Sequence, residues 1–235
     1  MATNPQPAAA SVLTALSSVH GGRGRPRKLD RAAVTRAALR IVERDGLAGL
    51  TMRRAAEELG VGLATLYNAS GGKEAILDDM IEAVFGQLPD CDTTPGAEID
   101  NLAQLWMATH ELLVANPVVA QLIALKRFGG EGLFSLVEST FTLLRGAGMA
   151  DDLITTAFET VRGYTLGFSL LRISRGNPDA AEARDRLIRA SSAAAERYPE
   201  INARADDMAE ALTAEQFRRG LQHLLQGFLP ASPPP

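Results

Sequence analysis

"LTMRRAAEELGVGLATLYNASGGKEAIL", Leu50 to Leu77, contains two apolar stripes too short to stand alone, separated by a glycine turn. Thr51 is placed to cap the first. Met52, Ala55, Ala56 and Leu59 recur at helical spacing, and Gly60 stops the segment after about two turns. Beyond the tight "GVG", "LATLYN" reads as a second very short helix, "ASGG" as a breaker, and "KEAILDDMIEAVFGQL" as a longer helix ended by Pro89. In front stands "LDRAAVTRAALRIVERDG", with Asp30 as N-cap, Leu29 and Val34 as a hydrophobic staple, a stripe of Val34, Ala38, Ile41 and Val42, and Gly46 as terminator. Helices as short as the middle two are marginal alone, because nucleation is unfavourable, so the first and fourth must hold them. Two short helices joined by a glycine turn and packed on a longer one make a helix-turn-helix. The outer face of "LATLYN" is then free to enter a major groove about 12 Å wide.

Charge is distributed to match. The 235 residues carry a net charge of −4, yet from Arg23 to Arg54 ten Lys/Arg stand against three acids, leaving the remainder strongly acidic. A basic block is as readily a solvated tail as a nucleic-acid contact, so composition leaves both readings open. Residues 1 to 22, rich in Pro, Gly, Ala and Ser, are expected to be disordered. No apolar run reaches a membrane span and the start has no signal-peptide pattern, which points to the cytoplasm. The single cysteine, Cys91, sits in the polar stretch "PDCDTTPGA" and reads as a passive linker residue.

The stretch "LDRAAVTRAALRIVERDGLAGLTMRRAAEELGVGLATLYNASGGKEAILDDMI" resembles the N-terminal domain of the tetracycline-repressor (TetR) family of transcriptional regulators. Its most specific pieces are "GLAGLTMRRAAEELGV", the "TLY" of Thr65 to Tyr67, and "KEAIL". The resemblance implies a helix-turn-helix motif at about 51–70 within a DNA-binding domain at 29–88. Thr51 and Arg53 would touch DNA at the start of the second helix, and Leu63, Thr65, Tyr67 and Asn68 would face the groove. Lys73 would contact phosphate, while Leu66 would point inward as core. The chemistry is compatible: Asn68 can pair with an adenine edge, Tyr67 and Thr65 can donate to phosphate, and Leu63 can lie on a thymine methyl.

Three positions depart from the family pattern. Gly62 stands where Ser or Thr usually caps the recognition helix, and Ala69 and Ser70 replace the usual His or Tyr and Phe. The end of that helix is therefore expected to be loose, with "ASGG" adding flexibility. Upstream, "GRGRPRK" is similar to the core of an AT-hook, in which Arg-Gly-Arg-Pro lies along a narrow minor groove. Arg23, Arg25, Arg27 and Lys28 either insert there or form a solvated basic leader making loose phosphate contacts.

After a linker at 89–97, the C-terminal part, 98–229, reads as helices throughout, so the fold class is all-α. "VRGYTLGF" and "FRRGLQHLLQGF" are similar to the last large helices of the tetracycline-repressor type of C-terminal domain. The family pairs these in a dimeric four-helix bundle, which implies a homodimer with Phe168, Leu171, Phe217, Leu221 and Leu224 at or beside the interface. Gly163 and Gly167, one turn apart, allow close helix approach. Trp106, His110, Phe128, Phe134, Phe141, Phe158 and Tyr164 collect most of the aromatics and could line an effector pocket, although each could equally be core. His110, a lone histidine on an apolar face, reads more readily as a hydrogen-bonded core residue. The tetracycline repressor holds its drug as a metal chelate through a histidine early in this domain, and "NPVVAQLIALKRF" contains none. The expected effector is therefore bulky and mostly apolar, with no metal and no cofactor.

Three function classes compete. A repressor of a palindromic double-stranded DNA operator, released by an effector, fits best. A constitutive architectural binder of AT-rich DNA is the alternative. Enzyme chemistry is disfavoured: His20, His110 and His223 are scattered, and no metal-spaced cluster, GxSxG or glycine-rich phosphate loop occurs.

Overall fold

The computed structural model describes residues 29–125, 130–174, 180–192, 196–209 and 212–228, all helical or irregular. Arg23, Arg25, Arg27, Lys28 and Phe128 lie outside these residues. In chain order the helices are α1 Arg31–Gly49, α2 Met52–Leu59, α3 Leu63–Ser70, α4 Lys73–Phe85, α5 Glu98–Ala115, α6 Pro117–Leu125, α7 Glu131–Gly146, α8 Asp151–Ser174, α9 Ala180–Ser192, α10 Pro199–Ala203, α11 Ala205–Ala209 and α12 Ala214–Phe228.

Local chemistry accounts for the first four. Asp30 Oδ1 accepts the Ala33 N–H at 2.6 Å, and α1 breaks at Gly46, whose φ of 70° suits glycine. The Thr51 hydroxyl accepts the Arg54 N–H at 3.2 Å to start α2, which closes in a left-handed Gly60. α3 starts at Gly62 with no side-chain cap, in keeping with the missing Ser or Thr. Its other end differs from expectation: the helix runs through Ala69 to Ser70 and is closed, not loose. Ser70, buried, donates to the Leu66 carbonyl at 2.8 Å and accepts the Gly72 N–H at 3.2 Å, so a hydroxyl takes the place of the expected ring.

Further along, α5 and α6 meet at 108° across Asn116. Pro117 disfavours helical geometry at the residue before it, and the Asn116 side chain donates to the Leu112 carbonyl at 2.9 Å. The final helical run, expected to be continuous from 207, is instead split into α11 and α12. Leu212 takes φ 73°, and the Thr213 hydroxyl accepts the Gln216 N–H at 3.2 Å as a fresh cap. One apolar core runs from Val34 through Met80, Phe85 and Trp106 to Leu225, so α4 belongs both to the helix-turn-helix and to the larger helical body. Against the core, α8 packs between α5 and α12.

Candidate nucleic-acid interface and candidate ligand cavity

On α3 only Leu66 and Ser70 are buried. Leu63 is 47% and Tyr67 49% exposed, and Thr65 and Asn68 stand out beside them. Two large side chains held on an uncovered face, one apolar and one amphipathic, await a partner outside the chain. Thr51 is exposed as well. Its cap bond uses an oxygen lone pair, so its O–H proton remains free to donate. Arg53 extends into solvent and pairs only with the exposed Glu57, at 3.1 Å, an interaction worth about 0.3–0.5 kcal/mol that a phosphate can displace. Lys73 is exposed at the start of α4, beside the Tyr67 ring lying over Gly72.

The basic block divides on inspection. Arg31 pairs with Asp79, Arg40 and Arg44 with Glu58, Arg44 also with Asp45, and Arg54 with Asp45 at 2.7 Å. These cations brace α1 against α2 and α4. Residues 29–88 contain seven Lys/Arg and nine Asp/Glu, so the net positive charge of this end of the chain comes from Arg23, Arg25, Arg27 and Lys28.

A second feature lies in the larger body. A narrow cavity of about 350 Å³ opens between α4, α5, α6, α7 and α8. Trp106 and Phe158 line it, as expected, their rings 6.1 Å apart. Its other walls are almost wholly apolar, with Phe85 from α4, Leu133 and Val137 from α7, and Thr165 from α8. Periodicity alone did not single out those four, because each sits where an ordinary core residue would.

Other members of the expected pocket lie elsewhere. Phe134 is 60% exposed on the outer side of α7, and Phe141 packs edge-on to Phe158 behind the cavity wall. The Tyr164 hydroxyl donates to the Phe217 carbonyl at 3.1 Å and ties α8 to α12. His110 is buried as a structural residue, stacked on Phe217 at 4.3 Å with Nδ1 2.8 Å from Ser169 Oγ. The Ser169 hydroxyl spends its proton on the Thr165 carbonyl at 2.7 Å, so His110 donates from Nδ1. Burial, with the nearby Arg172 charge, lowers its pKa to about 4 and keeps it neutral.

The family described as "Tetracyclin repressor-like, C-terminal domain" matches residues 93–230. The chain belongs to the tetracycline-repressor family. It is similar to the HTH-type transcriptional repressor DrrR1 of Streptomyces coeruleorubidus, 33% identical over 142 residues. That match covers 59% of this chain and 51% of the relative, so the chain spans about half that protein's length. The class A tetracycline repressor from transposon 1721 in Escherichia coli is 28% identical over 203 residues, 85% of this chain and 90% of that protein. Among solved structures, the Streptomyces coelicolor TetR family protein ActR in complex with actinorhodin aligns with a TM-score of 0.76 at 25% identity, covering 86% of this chain and 96% of that one.

In this member of the tetracycline-repressor family, the residues expected at a dimer interface separate. Phe217 and Leu221 are wholly buried in the chain's own core, where α12 packs on α5 and α8, so neither can touch a second copy. Phe168 is half-buried among His110, Tyr164 and Phe217, and Leu224 is half-buried as well. Leu171 is 55% exposed. Gly163 and Gly167 stand two turns and one turn before it, and a side chain added at either would meet nothing within 4 Å. The uncovered face of α8 is thus Gly163, Gly167 and Leu171.

Proposed function

We propose that this chain is a DNA-binding transcriptional repressor, acting in the cytoplasm as a homodimer on a palindromic operator and released by a small, mostly apolar effector. The observation that carries the DNA half is the outer face of α3, where Leu63, Thr65, Tyr67 and Asn68 are exposed together on a helix narrow enough for the major groove. Thr51, Arg53 and Lys73 flank it as phosphate contacts, and Arg23, Arg25, Arg27 and Lys28 add the charge that residues 29–88 lack. The effector half is supported by the apolar cavity, whose wall includes Phe85 from the same helix that begins at Lys73. A molecule wedged there biases the position of α4 and, in a dimer, the separation of the two α3 helices. The relatives agree in kind: DrrR1 is named a transcriptional repressor, and ActR binds actinorhodin in its complex.

Footprinting of the protein on selected DNA tests this reading. A defined palindrome whose protection disappears with an effector supports it; diffuse protection of A·T tracts would establish the architectural alternative. On that operator, Asn68→Ala is expected to relax discrimination at one base pair by roughly 1–3 kcal/mol, whereas Lys73→Ala weakens all sequences about equally.

A further inference from the structure

Six Ser and Thr residues are buried on helices among the described residues. Thr35, Ser70, Thr109, Thr140 and Ser169 each donate to the carbonyl four residues back, at 2.7 to 2.9 Å. Thr165 departs from this pattern: its Oγ1 is buried with no hydrogen-bond partner among the described residues. Trp106 Nε1, on a side chain only 2% exposed, has none either. Both residues line the cavity described above. Buried polar groups are nearly always satisfied, and a hydroxyl that forgoes an available helical carbonyl is one kept for another partner.

The chemistry of that partner follows from the groups themselves. An indole N–H only donates, so it calls for an acceptor, and a threonine hydroxyl can donate to the same acceptor. Arg162 reaches the cavity's edge, but Glu159 accepts from its Nε at 2.7 Å, so its charge is already met and an anionic ligand is not called for. The cavity is narrow and carries the rings of Phe85, Trp106 and Phe158 in its walls. We propose that it selects a neutral, flat, fused-ring aromatic molecule bearing a ring carbonyl, whose oxygen accepts from Trp106 Nε1 with the Thr165 hydroxyl as second donor. This rests on the reading of the cavity as the effector site.

A matched pair of probes separates the two claims: 9-fluorenone and fluorene share a ring system, and only the first has an acceptor. Calorimetric titration of the full chain is expected to give at least tenfold tighter binding of 9-fluorenone, a gap that narrows to a few-fold in Thr165→Val and in Trp106→Phe. Trp106 is the chain's one tryptophan, so its emission reports occupancy of this cavity and no other. Without ligand, Thr165→Val is expected to melt higher than the parent, since it removes an unpaired buried hydroxyl; a hydroxyl with a structural role would lower the melting temperature. Equal binding of the two probes with a response in Trp106 emission overturns the carbonyl preference and leaves the effector site standing. Unchanged emission with both probes overturns the site, and the effector half of the proposed function with it.

Discussion

The Glu82 carboxylate on α4 accepts the Gly132 N–H at the start of α7, with Oε2 at 2.9 Å and Oε1 at 3.1 Å. A residue of the helix that begins at Lys73 thereby caps the helix that supplies Leu133 and Val137 to the cavity. The two helices also touch through backbone. A Cβ at Gly132 would lie 2.8 Å from the Gly86 nitrogen and 2.9 Å from the Phe85 carbonyl carbon.

This joint predicts two distinct mutant classes. Gly132→Ala forces the helices apart and is expected to destabilise the fold by about 1–3 kcal/mol in urea titration. Glu82→Ala removes the cap without adding bulk. It is expected to lower stability by roughly 1 kcal/mol and to blunt effector-driven release while leaving operator affinity near the parent value. Release curves that overlay those of the parent would remove Glu82 from the coupling.

The dimer assignment is testable through the uncovered face of α8. Leu171→Glu and Gly167→Arg are expected to yield folded monomers, since neither position is enclosed by its own chain. Leu221→Arg, by contrast, buries an unpaired charge in the core and is expected to destabilise the protein by several kcal/mol, so that it unfolds or aggregates. Sedimentation together with circular dichroism distinguishes the outcomes. A native dimer from both α8 variants places the interface elsewhere.

His110 gives the fold an acid sensitivity. Its pKa is about 4 in the folded chain, against 6.5 as the reference value. The unfolded chain therefore binds the proton first, and stability is lost as pH falls from the unfolded value toward 4, on the order of 3 kcal/mol in total. Above pH 7 the residue contributes no pH dependence. Thermal melts from pH 7 to 4.5 are expected to drop more steeply for the parent than for His110→Asn, which can still donate toward Ser169 and does not titrate. Parallel curves would mean that the acid loss arises at other groups.

Deleting residues 1–28 removes Arg23, Arg25, Arg27 and Lys28 and leaves a net negative helix-turn-helix part. The log–log salt slope is expected to flatten by about 0.9 for each phosphate that the arm no longer neutralises. Replacing A·T pairs that flank the operator with G·C is expected to weaken the intact protein and spare the truncated one, as minor-groove insertion requires. Equal losses in both would leave the arm as a phosphate clamp without sequence preference.

Much of the helix-turn-helix was legible in the sequence because its determinants are local. Asp30 and Thr51 cap within three residues, Gly46 and Gly60 take up the positive φ that ends their segments, and periodicity puts Leu66 inside and Tyr67 outside. The larger body was legible only as helices with apolar faces. Period 3.6 says which residues turn inward; it does not say whether they meet another helix of the same chain, a cavity or a second copy. Tertiary packing decided that Phe217 and Leu221 are core, that Trp106 and Phe158 face a cavity, and that Phe134 is exposed. It likewise decided which arginines are consumed as braces, and it joined Glu82 to Gly132 across fifty residues of sequence. Contacts of that separation depend on how whole helices dock, and no local preference encodes them.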